Sequence, residues 1–233
     1  MVRNSSVSTK STRRELLKES ILEVASTLFI QLGFQGTSMG DIAKAMGVTR
    51  TAIYYYFRNK DDILRELTSE ITGMAGRIAS DTLEQTPEPI EALEGLVRKH
   101  ARLVLSLPLQ FRVVERNEEL LAPILRKKSR DSRRLVLDRF VTVIEAGIAA
   151  GQFRDSEPKV TAFALLGMCN WCAWWFNPKG KIPLEQVVDS IADLALNAVV
   201  REENRRLHTG SIDETMRQLR EDINLLEMRL QKK

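Results

Sequence analysis

The chain has 233 residues, 43% of them hydrophobic and 28% charged, a balance that closes a core of its own and excludes wholesale disorder. No apolar run reaches the roughly 18 residues that a bilayer span needs. The Ser/Thr/Arg-rich opening lacks the apolar stretch of a secretory leader, and two cysteines cannot frame a disulfide scaffold. The expectation is a cytoplasmic protein with no membrane partner.

The net charge of +4 is unevenly placed: residues 1–60 hold nine Lys/Arg against four Asp/Glu, and the remainder 26 against 27. A basic first quarter on a near-neutral remainder suits a polyanion-binding head on a neutral body.

No segment alternates like a strand, and apolar residues recur at helical spacing, so the expected fold class is all-α. A flexible basic arm is expected at 1–12. A helix follows from Arg13 to Leu32, with Leu17, Ile21, Leu28 and Leu32 on one stripe, and stops at Gly33. A short helix spans Ser38–Ala45, with Thr37 or Ser38 as N-cap and Gly47 beyond its end. Another runs from Thr49 to about Tyr56, and Asn59 caps a longer one reaching Leu83. Helices then fit 90–106, 109–118, Pro123–Ala150, Pro158–Phe176 and 183–207. After Gly210, Ile212, Met216, Leu219, Ile223, Leu226 and Leu230 follow a 4-3-4-3-4 spacing, a short heptad seam that fits either an intersubunit coil or a helix folded on the body.

The informative stretch is 37–60. Two short helices around a Gly-containing turn make a helix-turn-helix, with Ile42, Ala43, Val48 and Ile53 as its small core. Its second helix would enter the major groove N-terminus first. Thr49, Arg50 and Thr51 in its first turn suit base edges. Tyr54, Tyr55 and Tyr56 span about 200 degrees of helix and cannot all face inward, so their phenols are candidates for phosphate contact, while Phe57 belongs to the core. Lys60 adds a point charge, and Thr37 and Ser38 complete the candidate DNA-facing set.

The pattern Phe29, Gly33-Phe34, Thr37-Ser38, Asp41-Ile42-Ala43, Gly47-Val48, Ile53 through Phe57, Asn59-Lys60 and Leu64, over residues 14–74, resembles the DNA-binding head of the TetR family of regulators. That resemblance implies a homodimer with a helical body, and in most members a repressor freed from a near-palindromic operator by a small-molecule inducer. It also implies base reading by Arg50 and Thr51, and phosphate binding by Tyr54, Tyr55 and Lys60. Thr51 stands where the family frequently has Gly or Ala, a departure that bears on base preference. The expected organisation is a head at 13–75, a ligand-binding and dimerisation body at 76–208 and a C-terminal amphipathic helix at 211–230.

The helix 163–176 holds all three tryptophans. Gly167-Met168, Asn170-Trp171, Trp174-Trp175, Pro178 and Gly180 resemble a subgroup of the same family that regulates fatty-acid and steroid breakdown, several of whose members respond to acyl-CoA thioesters. Such a ligand needs an apolar tunnel and cations for its phosphates. Phe111, Phe140, Phe163, Trp171 and Trp175 are candidates for the first, and Arg102, Arg112, Arg116, Arg133, Arg134 and Arg139 for the second. Helices 158–176 and 183–207 are the expected dimer contact.

Cys169 and Cys172 fall inside an apolar helix with no second ligand pair, which marks them as core residues and leaves no metal site. His100 and His208 lack a nucleophile partner, so no catalytic constellation and no cofactor is expected. A DNA-binding regulator without an inducer, acting as an activator or architecturally, remains the other reading.

Overall fold

A computed structural model describes residues 5–85, 88–202 and 204, together with 216, 217, 219, 220, 223, 224, 227 and 228. Among the described residues the architecture is helical: α1 (Ser5–Leu32), α2 (Met39–Met46), α3 (Arg50–Tyr54), α4 (Lys60–Gln85), α5 (Pro89–Ser106), α6 (Pro108–Arg116), α7 (Pro123–Ala149), α8 (Pro158–Trp175) and α9 (Leu184–Val199), with a single 3₁₀ turn at Glu118–Leu120.

Helix ends follow local chemistry. At α2 the Ser38 hydroxyl accepts from the Asp41 amide at 3.2 Å while the Asp41 carboxylate accepts from the Ser38 amide at 2.8 Å, a reciprocal capping box. Hydrogen bonds from the Ser38 side chain and backbone also hold the Asp41 carboxyl below its ordinary pKa. The helix closes on Gly47 at φ +67°, where the Gly47 and Val48 amides donate to the carbonyls of Lys44 and Ala43. Thr49 caps α3 and Asn59 caps α4 through their side-chain oxygens. Prolines at the first turn open α5, α6, α7 and α8.

Three boundaries differ from the sequence reading. First, α1 begins at Ser5, so residues 5–12, expected as a flexible arm, are helical; the Ser/Thr run contains no Gly or Pro to stop a helix. Second, α3 is shorter than expected, its last turn tightening after Tyr54 so that the Tyr56 and Phe57 amides both donate to the Ile53 carbonyl. Third, α9 stops at Val199 rather than continuing to 207. There Val200 pairs antiparallel with Phe153, the Arg154 amide donates to Val199, and the Arg201 amide donates to Gln152. Phe153 is fully buried against Gly147, where a Cβ would fall 2.2 Å from its ring. Of the heptad segment, the described Met216, Leu219, Ile223 and Met228 are helical and exposed; Ile212, Leu226 and Leu230 lie outside the described residues.

α1, α2 and α3 form the head around Ile21, Phe29, Ile42, Ile53 and Phe57. α5 is the axis of the body, buried through Leu93, Leu96, Val97, Ala101 and Val104 against α4, α7, α8 and α9. α4 belongs to both parts. Its Ile63, Leu64 and Leu67 are buried, and the same helix packs along α7. At 26 residues it is about 39 Å long. The body helix α6 in turn rests on α1.

A candidate DNA-binding surface and a candidate ligand cavity

α3 projects its first turn into solvent because only Ile53 of its residues is buried. Arg50 and Thr51 are exposed. The Arg50 guanidinium lies across Gly40, where an added Cβ would sit 2.6 Å from Nη2, so a residue without a side chain on α2 leaves room for it. Tyr54 and Tyr55 are exposed at 51% and 69%, whereas Tyr56 is half-buried with its ring edge-on to Tyr55. Arg14 of α1 stacks over the Tyr55 ring with 5.6 Å to its centroid, adding a cation beside the phenol.

Two candidates of this surface are otherwise engaged. Thr37 is buried, and its hydroxyl donates to the Gly33 carbonyl at 2.9 Å, closing the turn after α1. Lys60 turns inward: its ammonium donates to the carbonyls of Phe34, Gln35 and Thr37 at 2.8, 3.1 and 3.3 Å, and stands 4.8 Å over the Phe34 ring. All three of its N–H groups are used to hold the α1–α2 turn, so it is not the free point charge that the spacing implied. The hydroxyls of Ser38 and Thr49 serve as caps at the same edge.

Between α4, α5, α6, α7 and α8 lies a cavity of about 360 Å³, in the lower part of the range for small-molecule sites. Its wall is mostly apolar, from Ile71, Ala75, Phe111, Val114, Val136 and Leu166. Phe163 is at its edge, and Arg133 and Arg134 line it as well. Thus Phe111, Phe163, Arg133 and Arg134 of the expected ligand set come together.

The others do not. Phe140 is fully buried behind the cavity, edge-on to His100. Trp171 and Trp175, exposed at 64% and 49%, do not line the cavity. Arg102 is tied to Glu185 by two hydrogen bonds of 2.8 and 2.5 Å between α5 and α9. Arg116 stacks on Trp174, and Arg112 lines a separate hollow between head and body. Arg139 is half-buried and does not line the cavity. Arg133 is committed to Glu115 at 3.1 Å and Glu118 at 2.9 Å. Burial, with Glu118 nearby, raises the Glu115 pKa despite Arg133. A cluster of free cations for several phosphates is therefore not assembled. Arg134, its side chain 81% exposed, has Asp138 at 3.8 Å as its ion-pair partner among the described residues.

Two of the polar residues on the cavity wall, His100 and Asn170, carried no ligand role in the sequence reading. His100 Nε2 lies 2.9 Å from Asn170 Oδ1, joining α5 to α8. Burial pulls the His100 pKa below its ordinary value. Because Asn170 Oδ1 can only accept, Nε2 is the donor in this pair. The available signal was a polar residue in each of two apolar stripes. The two cysteines are free and buried, and burial pushes the Cys169 thiol up to about 12, which makes it an inert core group.

A helix-turn-helix head joined by one continuous helix to a cavity-bearing helical body defines a DNA-binding transcription regulator rather than an enzyme. Residues 21–67 match the family described as bacterial regulatory proteins, tetR family, and residues 86–199 match the tetracyclin repressor-like C-terminal domain. The chain belongs to the TetR family. The solved TetR regulator PfmR from Thermus thermophilus is 30% identical, covering 78% of this chain and 99% of its own, with a TM-score of 0.68. The transcriptional repressor KstR2 of Rhodococcus jostii is 27% identical over 84% of this chain and 95% of that protein. AibR, solved with isovaleryl coenzyme A and operator DNA, is 25% identical over 76% of this chain and 96% of its own, with a TM-score of 0.63. No helix among the described residues is long and apolar enough to cross a membrane.

Proposed function

We propose that the protein is a cytoplasmic homodimeric repressor, released from a near-palindromic operator when a small molecule enters the body cavity, with acyl-CoA thioesters as the effector class. The observation that carries this reading is α4. The same helix gives Ile63, Leu64 and Leu67 to the head core and Ile71, Thr72 and Ala75 to the cavity wall. A ligand that prefers a shifted α4 changes the separation of the two recognition helices, which must match major grooves about 34 Å apart. DNA contact falls to Arg50 and Thr51 at base edges, with Tyr54, Tyr55 and the Arg14 beside it at phosphates.

The dimer reading is supported by the outer face of α8 and α9. Val160, Phe163, Trp171 and Trp175 form one exposed apolar stripe on α8, and Leu194 is exposed on α9, the kind of patch that marks a partner surface. The effector class is supported by the AibR complex, by the apolar cavity for an acyl part, and by Arg134 for one phosphate.

The test begins with duplexes selected from a random pool by the full-length protein, followed by anisotropy titrations with a panel of CoA thioesters. A selected near-palindrome, with at least one thioester weakening binding roughly tenfold, is the expected result; that needs only about 1.4 kcal/mol of preference between the two states. Selection without any palindrome would overturn the dimeric groove reading. A silent thioester panel would remove that effector class alone.

A further inference from the structure

We propose that the part of the effector inside the body cavity carries an uncharged carbonyl oxygen, which accepts a hydrogen bond from the side-chain amide of Asn170. This rests on the reading of the cavity as the effector site. Asn170 stands on α8 at the cavity wall, and its oxygen is already taken by His100 Nε2 at 2.9 Å. What it has left is the NH₂ group, with no other partner among the described residues. An NH₂ group only donates, so the ligand atom facing it must accept.

His100 is the positioning residue: its Nε2 faces Asn170 Oδ1 at 2.9 Å, which turns the NH₂ end of the amide away from the ring. The surrounding wall of Ile71, Phe111, Val114 and Leu166 penalises a charge that lacks a counter-ion. Of the two guanidinium groups on this wall, Arg133 is ion-paired with Glu115 and Glu118, and Arg134 is 81% exposed at the solvent side. An uncharged acceptor on an apolar skeleton is the chemistry that satisfies this wall.

The probes are N-phenyl-1-naphthylamine, an uncharged apolar fluorophore, and two competitors of one shape, 2-decalone and decalin. The full-length protein should bind the fluorophore, and Ala75→Phe, which fills the cavity, should not. If the fluorophore binds both alike or neither, the cavity reading falls and this inference with it. With the cavity reading standing, Asn170→Leu should lower the ketone-to-hydrocarbon affinity ratio roughly tenfold, because an unmet carbonyl in an apolar cavity is costly. His100→Phe, which removes the donor that holds the Asn170 amide oxygen, should lower the same ratio. A ratio that stays put in Asn170→Leu overturns the carbonyl assignment and leaves the effector site intact.

Discussion

The Lys60 ammonium donates to the Phe34 carbonyl at 2.8 Å and sits 4.8 Å above the ring of that same residue. With Gln35 and Thr37 as its other acceptors, this side chain ties the start of α4 to the turn between α1 and α2. Lys60→Met keeps the aliphatic stem and removes the donors, and should cost roughly 1–3 kcal/mol of stability. Thermal melts of the free protein should show the loss, while the salt dependence of DNA binding keeps its slope. A stable variant with a flatter salt slope would return Lys60 to the phosphate-binding set.

Arg50 should behave in the opposite way. It is exposed on the first turn of α3 and lies across Gly40. Arg50→Ala should leave the melting temperature nearly unchanged, cost roughly 1–3 kcal/mol in operator binding and relax preference at one base pair per half-site. Competition between singly substituted duplexes reads this directly. Uniform weakening across all of them would move Arg50 from base to backbone contact.

The exposed indoles of α8 should report the dimer and not the ligand. Trp171→Glu places a charge in the apolar stripe with Val160, Phe163 and Trp175, and should yield monomers in sedimentation at micromolar concentration. A chain ending at Leu207 should stay dimeric, because α8 and α9 remain complete. Dimers of the Trp171→Glu protein, or monomers of the shortened one, would transfer the main contact to residues 211–230.

His100 gives a pH prediction whose sign is fixed by burial. Its folded pKa lies below the ordinary value of 6.5, so the unfolded chain takes up the proton first as pH falls. Stability is therefore full above about pH 6.5 and declines as pH drops from there toward the folded pKa. Denaturation of the parent and of His100→Gln between pH 8 and 5 should diverge below about pH 6.5, with the parent losing more. Parallel curves would mean that the ring protonates in place.

The local features of this chain were legible before any packing was known. Ser38 and Asn59 cap helices, Gly33 and Gly47 end them in left-handed turns, and Pro158 opens one, because capping depends on residues within a turn of one another. The helix-turn-helix followed from the same short-range chemistry, and with it the family. The tertiary structure alone decided which side of each helix meets what. α8 is apolar on nearly every side, so its periodicity could not tell that Asn170 faces the cavity while Trp171 and Trp175 face out. The Lys60 ammonium turned to carbonyls more than twenty residues earlier, and α9 ended where Val200 met Phe153. His100 and Asn170, 70 residues apart, became a pair only when α5 and α8 closed over the same space. An arginine reads in sequence as a free cation, but its partner is chosen by the packing of other helices, as Glu185 is for Arg102; periodicity assigns a residue to a face, and only the fold supplies the surface opposite.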